Sequence, residues 1–237
     1  MHIDTYTFRA RLVPVFIVLL PIGLAFFAFF PLTSIVSALV GLFGTLSVQS
    51  LLTLLFSEIG RDLGKKKEPE LYESWGGMPT DFTLSYQSAL DRPTVERYKN
   101  KLRGLLPDIV FPTAEQEAKD PKAARDIYRS CTNFMREKTR DITKYALLFK
   151  ENVSYGFRRN LWGMKPAGIV LALIGLVACA TSLAAFPKSE YEMVVAWACL
   201  AINAILLTWW VFRINRSWIK VAGDEYAKQL FAACETL

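Results

Sequence analysis

Residues 12–57 read LVPVFIVLLPIGLAFFAFFPLTSIVSALVGLFGTLSVQSLLTLLFS, 46 consecutive positions without a formal charge. A helix needs about 20 apolar residues to cross roughly 30 Å of hydrocarbon, so this run has the length of two crossings and a tight turn. Pro31 is the natural corner. A secretory signal is the competing reading, because Arg9 and Arg11 precede the run. A signal's apolar region, however, is about 7 to 15 residues and ends at a cleavage site, whereas here the apolar run continues into a second span.

Working outward, two further uncharged blocks follow, Pro166–Pro187 and Met193–Phe212, separated by Lys188, Glu190 and Glu192. The 237 residues are 52% hydrophobic and only 21% charged, with a mean hydropathy of +0.24. That is too apolar for a soluble domain of this length. The expected architecture is an all-α membrane protein. A first hairpin occupies 1–58, with spans at about 12–30 and 33–57, and a basic helical region occupies 59–165. A second hairpin at 166–212, with spans at about 166–187 and 193–212, precedes a tail at 213–237.

Orientation follows from the cations. From Glu58 to Lys165 there are 21 Lys and Arg against 16 Asp and Glu, while the Pro31 turn has none and the loop between the last two spans has only Lys188. The positive-inside asymmetry places both termini and the middle region in the cytoplasm, with the protein multi-pass in a bacterial inner membrane. An anionic partner is favoured on that side. The candidates are acidic phospholipid and a nucleotide; readout of duplex DNA is not expected.

Ser34, Ser37, Gly41, Thr45, Gln49, Thr53 and Ser57 recur at intervals of three and four in the second span, one polar stripe that should avoid lipid. Two readings stand. The stripe is a small-residue packing surface, widened by Gly44, or Ser37, Gly41, Thr45, Gln49 and Thr53 line a pore. Four spans cannot enclose a wide path alone, so a pore requires a homo-oligomer. In the third span Gly168, Ala172, Gly175, Cys179 and Ser182 form a packing seam, and Asn203 in the fourth should point at protein. Trp162, Trp209 and Trp210 are expected at the membrane boundary. Tyr155–Trp162, with Arg158, Arg159 and Trp162, should lie along the inner headgroups and couple the middle region to the third span.

In the middle region, Val95, Tyr98, Leu102 and Leu105 give a narrow apolar stripe flanked by Arg97 and Lys101 on one side and Lys99 and Arg103 on the other. Like charges at i, i+4 disfavour such a helix by a few tenths of a kcal/mol, so a negative group should compensate. Asp120-Pro121 reads as a helix start. The apolar positions from Ile127 through Phe149 extend that helix toward the membrane, and Thr113 with Gln116 offers a capping box. A short strand is expected near Phe82–Tyr86. Residues 71–80 should break any helix, either as a turn pinned by Trp75 or as an aromatic platform with Gly76 and Gly77 amides near a phosphate. The candidate ligand site is therefore Trp75, Gly76, Gly77, Arg97, Lys101 and Arg103.

No catalytic signature is present. Gly60, Gly64, Lys65 and Lys66 miss the phosphate-loop pattern in glycine spacing and in the residue after the lysine, so the lysines read as a juxtamembrane basic cluster. The four cysteines lack ligand spacing and the only histidine is His2, so neither an enzyme, a metal centre nor a cofactor is expected.

The segments LYESWGGMP (71–79) and YGFRRNLWGMKP (155–166) resemble those of a bacterial four-span membrane family of unknown activity. The layout of two spans, a basic insert and two more spans is similar to membrane effectors of anti-phage defence systems. That resemblance implies an ion channel or pore-forming effector gated by nucleotide binding or by a partner. The alternative is a non-conducting scaffold that recruits a cytoplasmic enzyme.

Overall fold

The computed structural model describes residues 4–30 and 34–237. Pro31, the expected corner, and His2 lie outside the described residues. Every regular element among the described residues is a helix, in the order α1 (Val13–Phe29), α2 (Ile35–Lys66), α3 (Glu68–Trp75), α4 (Pro79–Thr83), α5 (Arg92–Leu105), α6 (Ala114–Lys119), α7 (Pro121–Lys138), α8 (Ala146–Ala185), α9 (Glu190–Thr208) and α10 (Arg216–Ala232). A π-helical turn, Thr7–Leu12, precedes α1, and another, Trp209–Arg213, follows α9. Four of these helices are long and apolar enough to cross a membrane, and the protein is a multi-pass membrane protein.

Two compact units emerge: residues up to Glu68 with Gly156–Asn215, and Pro69–Tyr155 with Arg216–Leu237. In the first, α1 is the hub. Its Pro14, Val18, Pro21, Ala25 and Ala28 are buried at intervals of four and three, which directs one face inward along the whole helix. The third-span seam is in place, with Gly168, Ala172, Gly175, Cys179 and Ser182 all buried. Ser182 donates to the Ala28 carbonyl at 2.7 Å.

Gly60 and Gly64 belong to a helix crossing. A Cβ built on Gly163 would stand 2.4 Å from the Gly64 nitrogen, and one on Gly60 2.8 Å from Met164 Sδ and from Val15 Cγ2. The α2 and α8 backbones meet there because no side chain intervenes. Ile59–Glu68 and Gly156–Lys165, read in the sequence as part of the basic region, thus pack with the apolar helices.

Several local expectations change. The helix that carries the third span does not begin at Pro166: α8 runs unbroken for 40 residues with Pro166 inside it. Tyr155–Trp162 is therefore mid-helix; Gly156 abuts Tyr6 and Ala10, and Asn160 Nδ2 donates to the Ala10 carbonyl at 2.6 Å. Trp210 is fully buried with its ring against Gly168, so close packing holds it.

In the second unit, Leu84, Tyr98, Leu102, Tyr128, Met135, Leu230 and Phe231 build the core. The capping signals hold: Asp120 accepts from the Ala123 amide at 3.0 Å, and Thr113 and Gln116 cap reciprocally. Phe82–Tyr86 is no strand, since α4 and a turn occupy it. Leu71–Trp75 is helical, with the break at Gly76 and Gly77. The expected long helix is two, because α7 ends at Lys138 and Asp141 caps a turn by accepting from the Thr143 and Lys144 amides at 2.8 and 3.0 Å. Those two hydrogen bonds hold the Asp141 carboxyl below its ordinary value.

Candidate functional site

The polar stripe of α2 faces α1 of the same chain. Gln49 is only 4% exposed, and its Nε2 donates to the Phe16 carbonyl at 3.1 Å. Its Oε1 lies where a Cβ on Gly23 would sit. Thr45 and Thr53 donate back to the Gly41 and Gln49 carbonyls at 2.7 and 2.8 Å, Gly41 abuts the Phe30 ring, and Ser37 caps its own helix. A lateral groove of ≈ 400 Å³ flanks the stripe, lined by Leu19, Gly23, Phe26, Gly44, Thr45 and Gln49 among others. Asn203 is fully buried and donates to the Cys199 carbonyl at 3.2 Å.

Of the expected coupling residues, Arg159 is buried and pairs with Glu68 at 3.2 Å while donating to Asn160 Oδ1. Arg158 is half-buried. Trp162 has the Lys67 and Lys165 ammoniums each 5.7 Å from its ring. Arg159 is thus part of the α2–α8 crossing.

The expected ligand residues are not gathered at one place. The Gly77 amide donates to the Tyr72 carbonyl at 2.9 Å and the Gly76 amide to Glu73 at 3.2 Å, so both close α3 and are not free for a phosphate. The φ values of 79° and 155° at Gly76 and Gly77 explain why glycine stands there. Trp75 lines a cavity of ≈ 480 Å³ with Lys220 and Lys228, and its indole N–H is enclosed without a hydrogen-bond acceptor. Arg97, Lys101 and Arg103 do not line it. Arg97 pairs with Glu235 from the chain's own C-terminal end, which is the negative group that the basic helix required. Arg103 donates to Asn100 and lies 5.3 Å from the Phe111 ring.

Lys99, read as a flanking cation, is 1% exposed. Its ammonium sits 4.5 Å from the Tyr86 ring, whose other close cation, Arg92, is at 4.1 Å. Burial pulls the Lys99 pKa down.

Beside this cluster lies a cavity of ≈ 340 Å³ formed by α4, α6, α7 and the segment after α4. Asp81, 1% exposed, receives the Arg129 guanidinium at 3.0 and 3.3 Å. The Glu117 carboxylate accepts the Tyr86 amide at 3.2 Å on each oxygen and the Tyr128 hydroxyl. Burial and that carboxylate push the Tyr128 phenol well above its ordinary value, keeping it a donor. Sequence reading passed over Glu117 and Arg125, because each looks like an ordinary charge on a solvated helix and only tertiary structure brings them to one cavity.

No protein-family model matches the chain, and comparison with curated proteins and with solved structures returns no significant match.

Proposed function

We propose that the protein is a non-enzymatic membrane scaffold whose four apolar helices hold its second helical unit in the cytoplasm, where that unit recruits a cytoplasmic partner enzyme. The observation that carries this reading is the hydrogen bond from Gln49 to Phe16 within one chain. Together with the buried Ser182 and Asn203, it uses the intramembrane polar groups for packing, as an anchor requires. The lysine and arginine asymmetry supports the orientation, with both termini and the basic unit inside a bacterial inner membrane.

A second reading has its own observation. Gly44, Ser47 and Ser50 are exposed on α2, and a Cβ on Gly44 would meet nothing within 4 Å. In a homo-oligomer these residues, not Gln49, would border a central path. The protein would then be a channel or pore-forming effector gated by a nucleotide-like anion or a partner, as the layout of anti-phage effectors suggests. For Thr45, Gln49 and Thr53 to line the path, α1 would first have to leave α2.

Ion flux from liposomes containing the purified protein separates the readings. The scaffold reading expects no flux with or without nucleotides, and unchanged behaviour in Ser47→Val and Ser50→Val variants. Flux that those substitutions abolish would replace the scaffold by the channel.

A further inference from the structure

The ≈ 340 Å³ cavity of the second unit holds two charges that no described residue meets in an ion pair. Glu117 on α6 accepts hydrogen bonds from Tyr86 and Tyr128; the buried Lys99 acts on it through space, but no cation among the described residues stands at ion-pair distance from it. Arg125 on α7 is half-buried and makes no hydrogen bond or ion pair with a described residue. The two line the same space and do not pair with each other. Asp81, the other carboxylate there, is already neutralised by Arg129.

A half-buried guanidinium and a half-buried carboxylate that share a cavity ordinarily pair, since partial desolvation strengthens their attraction. Here the Glu117 carboxylate is instead held in position by an amide and a phenol. Arg125 stands at the next turn from Tyr128 on the same helix face. Phe82, Ala118, Pro121 and Ala124 supply the apolar lining between these polar groups. The volume lies at the lower end of the range of small-molecule sites.

We propose that this cavity binds a free amino acid with an apolar side chain, its ammonium on Glu117, its carboxylate on Arg125 and its side chain against Phe82 and Pro121. A simple anion would face Glu117, and a simple cation would face Arg125; a zwitterion answers both. The site does not depend on whether the membrane helices conduct.

The test uses the full chain in nanodiscs and isothermal titration with L-leucine, L-methionine and L-phenylalanine, then with L-phenylalaninamide and N-acetyl-L-phenylalanine. At least one free amino acid should bind saturably, and phenylalanine should bind at least tenfold more tightly than either blocked form. Arg125→Gln should leave the melting curve unchanged, since the side chain has no partner among the described residues, and should erase the preference for the acid over the amide. Glu117→Gln should erase the preference over the acetylated form. Absence of saturable binding by all three amino acids, equal binding of the blocked forms, or unchanged selectivity in Arg125→Gln would each overturn the proposal. A liposome experiment that found flux would leave it standing, so its failure and that of the scaffold reading are distinguishable.

Discussion

Replacing Gly163 by alanine should separate the α2–α8 crossing. The new Cβ would stand 2.4 Å from the Gly64 nitrogen, 2.6 Å from its Cα and 2.6 Å from the Leu63 carbonyl carbon. All three are backbone atoms, so no side-chain rotation relieves the overlap, and the helices must part by about 1 Å to restore ordinary contact. Such a gap forfeits a quarter to a half of the dispersion attraction across the seam. It also stretches the Asn160–Ala10 hydrogen bond and the Arg159–Glu68 pair that flank it. Overpacking of this kind costs about 3 kcal/mol, offset by roughly 1 kcal/mol of helix propensity gained on replacing glycine. The net expectation is a loss of about 2 kcal/mol. Gly44→Ala, with nothing within 4 Å of the new atom, gains the propensity alone, so the two variants should differ by about 3 kcal/mol. Reversible unfolding in detergent, followed by circular dichroism, measures this difference. Equal stabilities for the two variants would refute the close crossing.

Other outcomes follow from the same geometry. Asn203→Leu should be neutral or stabilising in the same assay, because it removes a buried Oδ1 that has no donor and leaves no polar group stranded. Arg129→Ala should cost about 2 kcal/mol by stranding the buried Asp81 carboxylate, less than for a fully enclosed pair because Arg129 is 44% exposed. Arg97→Gln should change the melting temperature little, since its pairing with Glu235 is open to solvent. Burial pushes the Cys131 and Cys234 thiols up to about 11. Their folded values lie above the unfolded ones, so their contribution is complete below pH 9 and is lost as pH rises through about 11. The melting temperature should therefore fall over that window, and Cys131→Ala with Cys234→Ala should flatten the slope. Lys99 has the opposite sign. Its folded value lies below 10.5, so its penalty is relieved as pH approaches 10.5, and Lys99→Met should steepen the alkaline fall.

The membrane helices were legible because hydrocarbon thickness sets a length that residues 12–57, 166–187 and 193–212 match without tertiary information. The seam from Gly168 to Ser182 was legible for a similar reason, since small residues at helical spacing describe a packing face before its partner is known. Asp120-Pro121 and Thr113–Gln116 report local hydrogen bonds, and both caps formed. What escaped the sequence is pairing over distance. Nothing in GRDLG at 60–64 marks Gly163 as its neighbour, and nothing near Arg97 points to Glu235. Lys99 was assigned to a solvated flank because its two aromatic neighbours, Tyr86 and Phe111, come from other segments. The turn at 139–145 was hidden by an apolar spacing that continues across it. The candidate ligand residues were chosen by type, and the fold distributes them among a helix terminus, an ion pair and a separate cavity.

The central claim is that α1 covers the polar stripe of α2 within each chain, which Gln49 exposes most directly. In liposomes, a membrane-impermeant thiosulfonate should fail to modify Gln49→Cys, while it modifies Arg97→Cys, an exposed position, on the outward-oriented fraction. The native cysteines are all buried and provide the unreactive baseline. Modification of Gln49→Cys as fast as that of Arg97→Cys would put water along the α1–α2 seam and contradict the scaffold account.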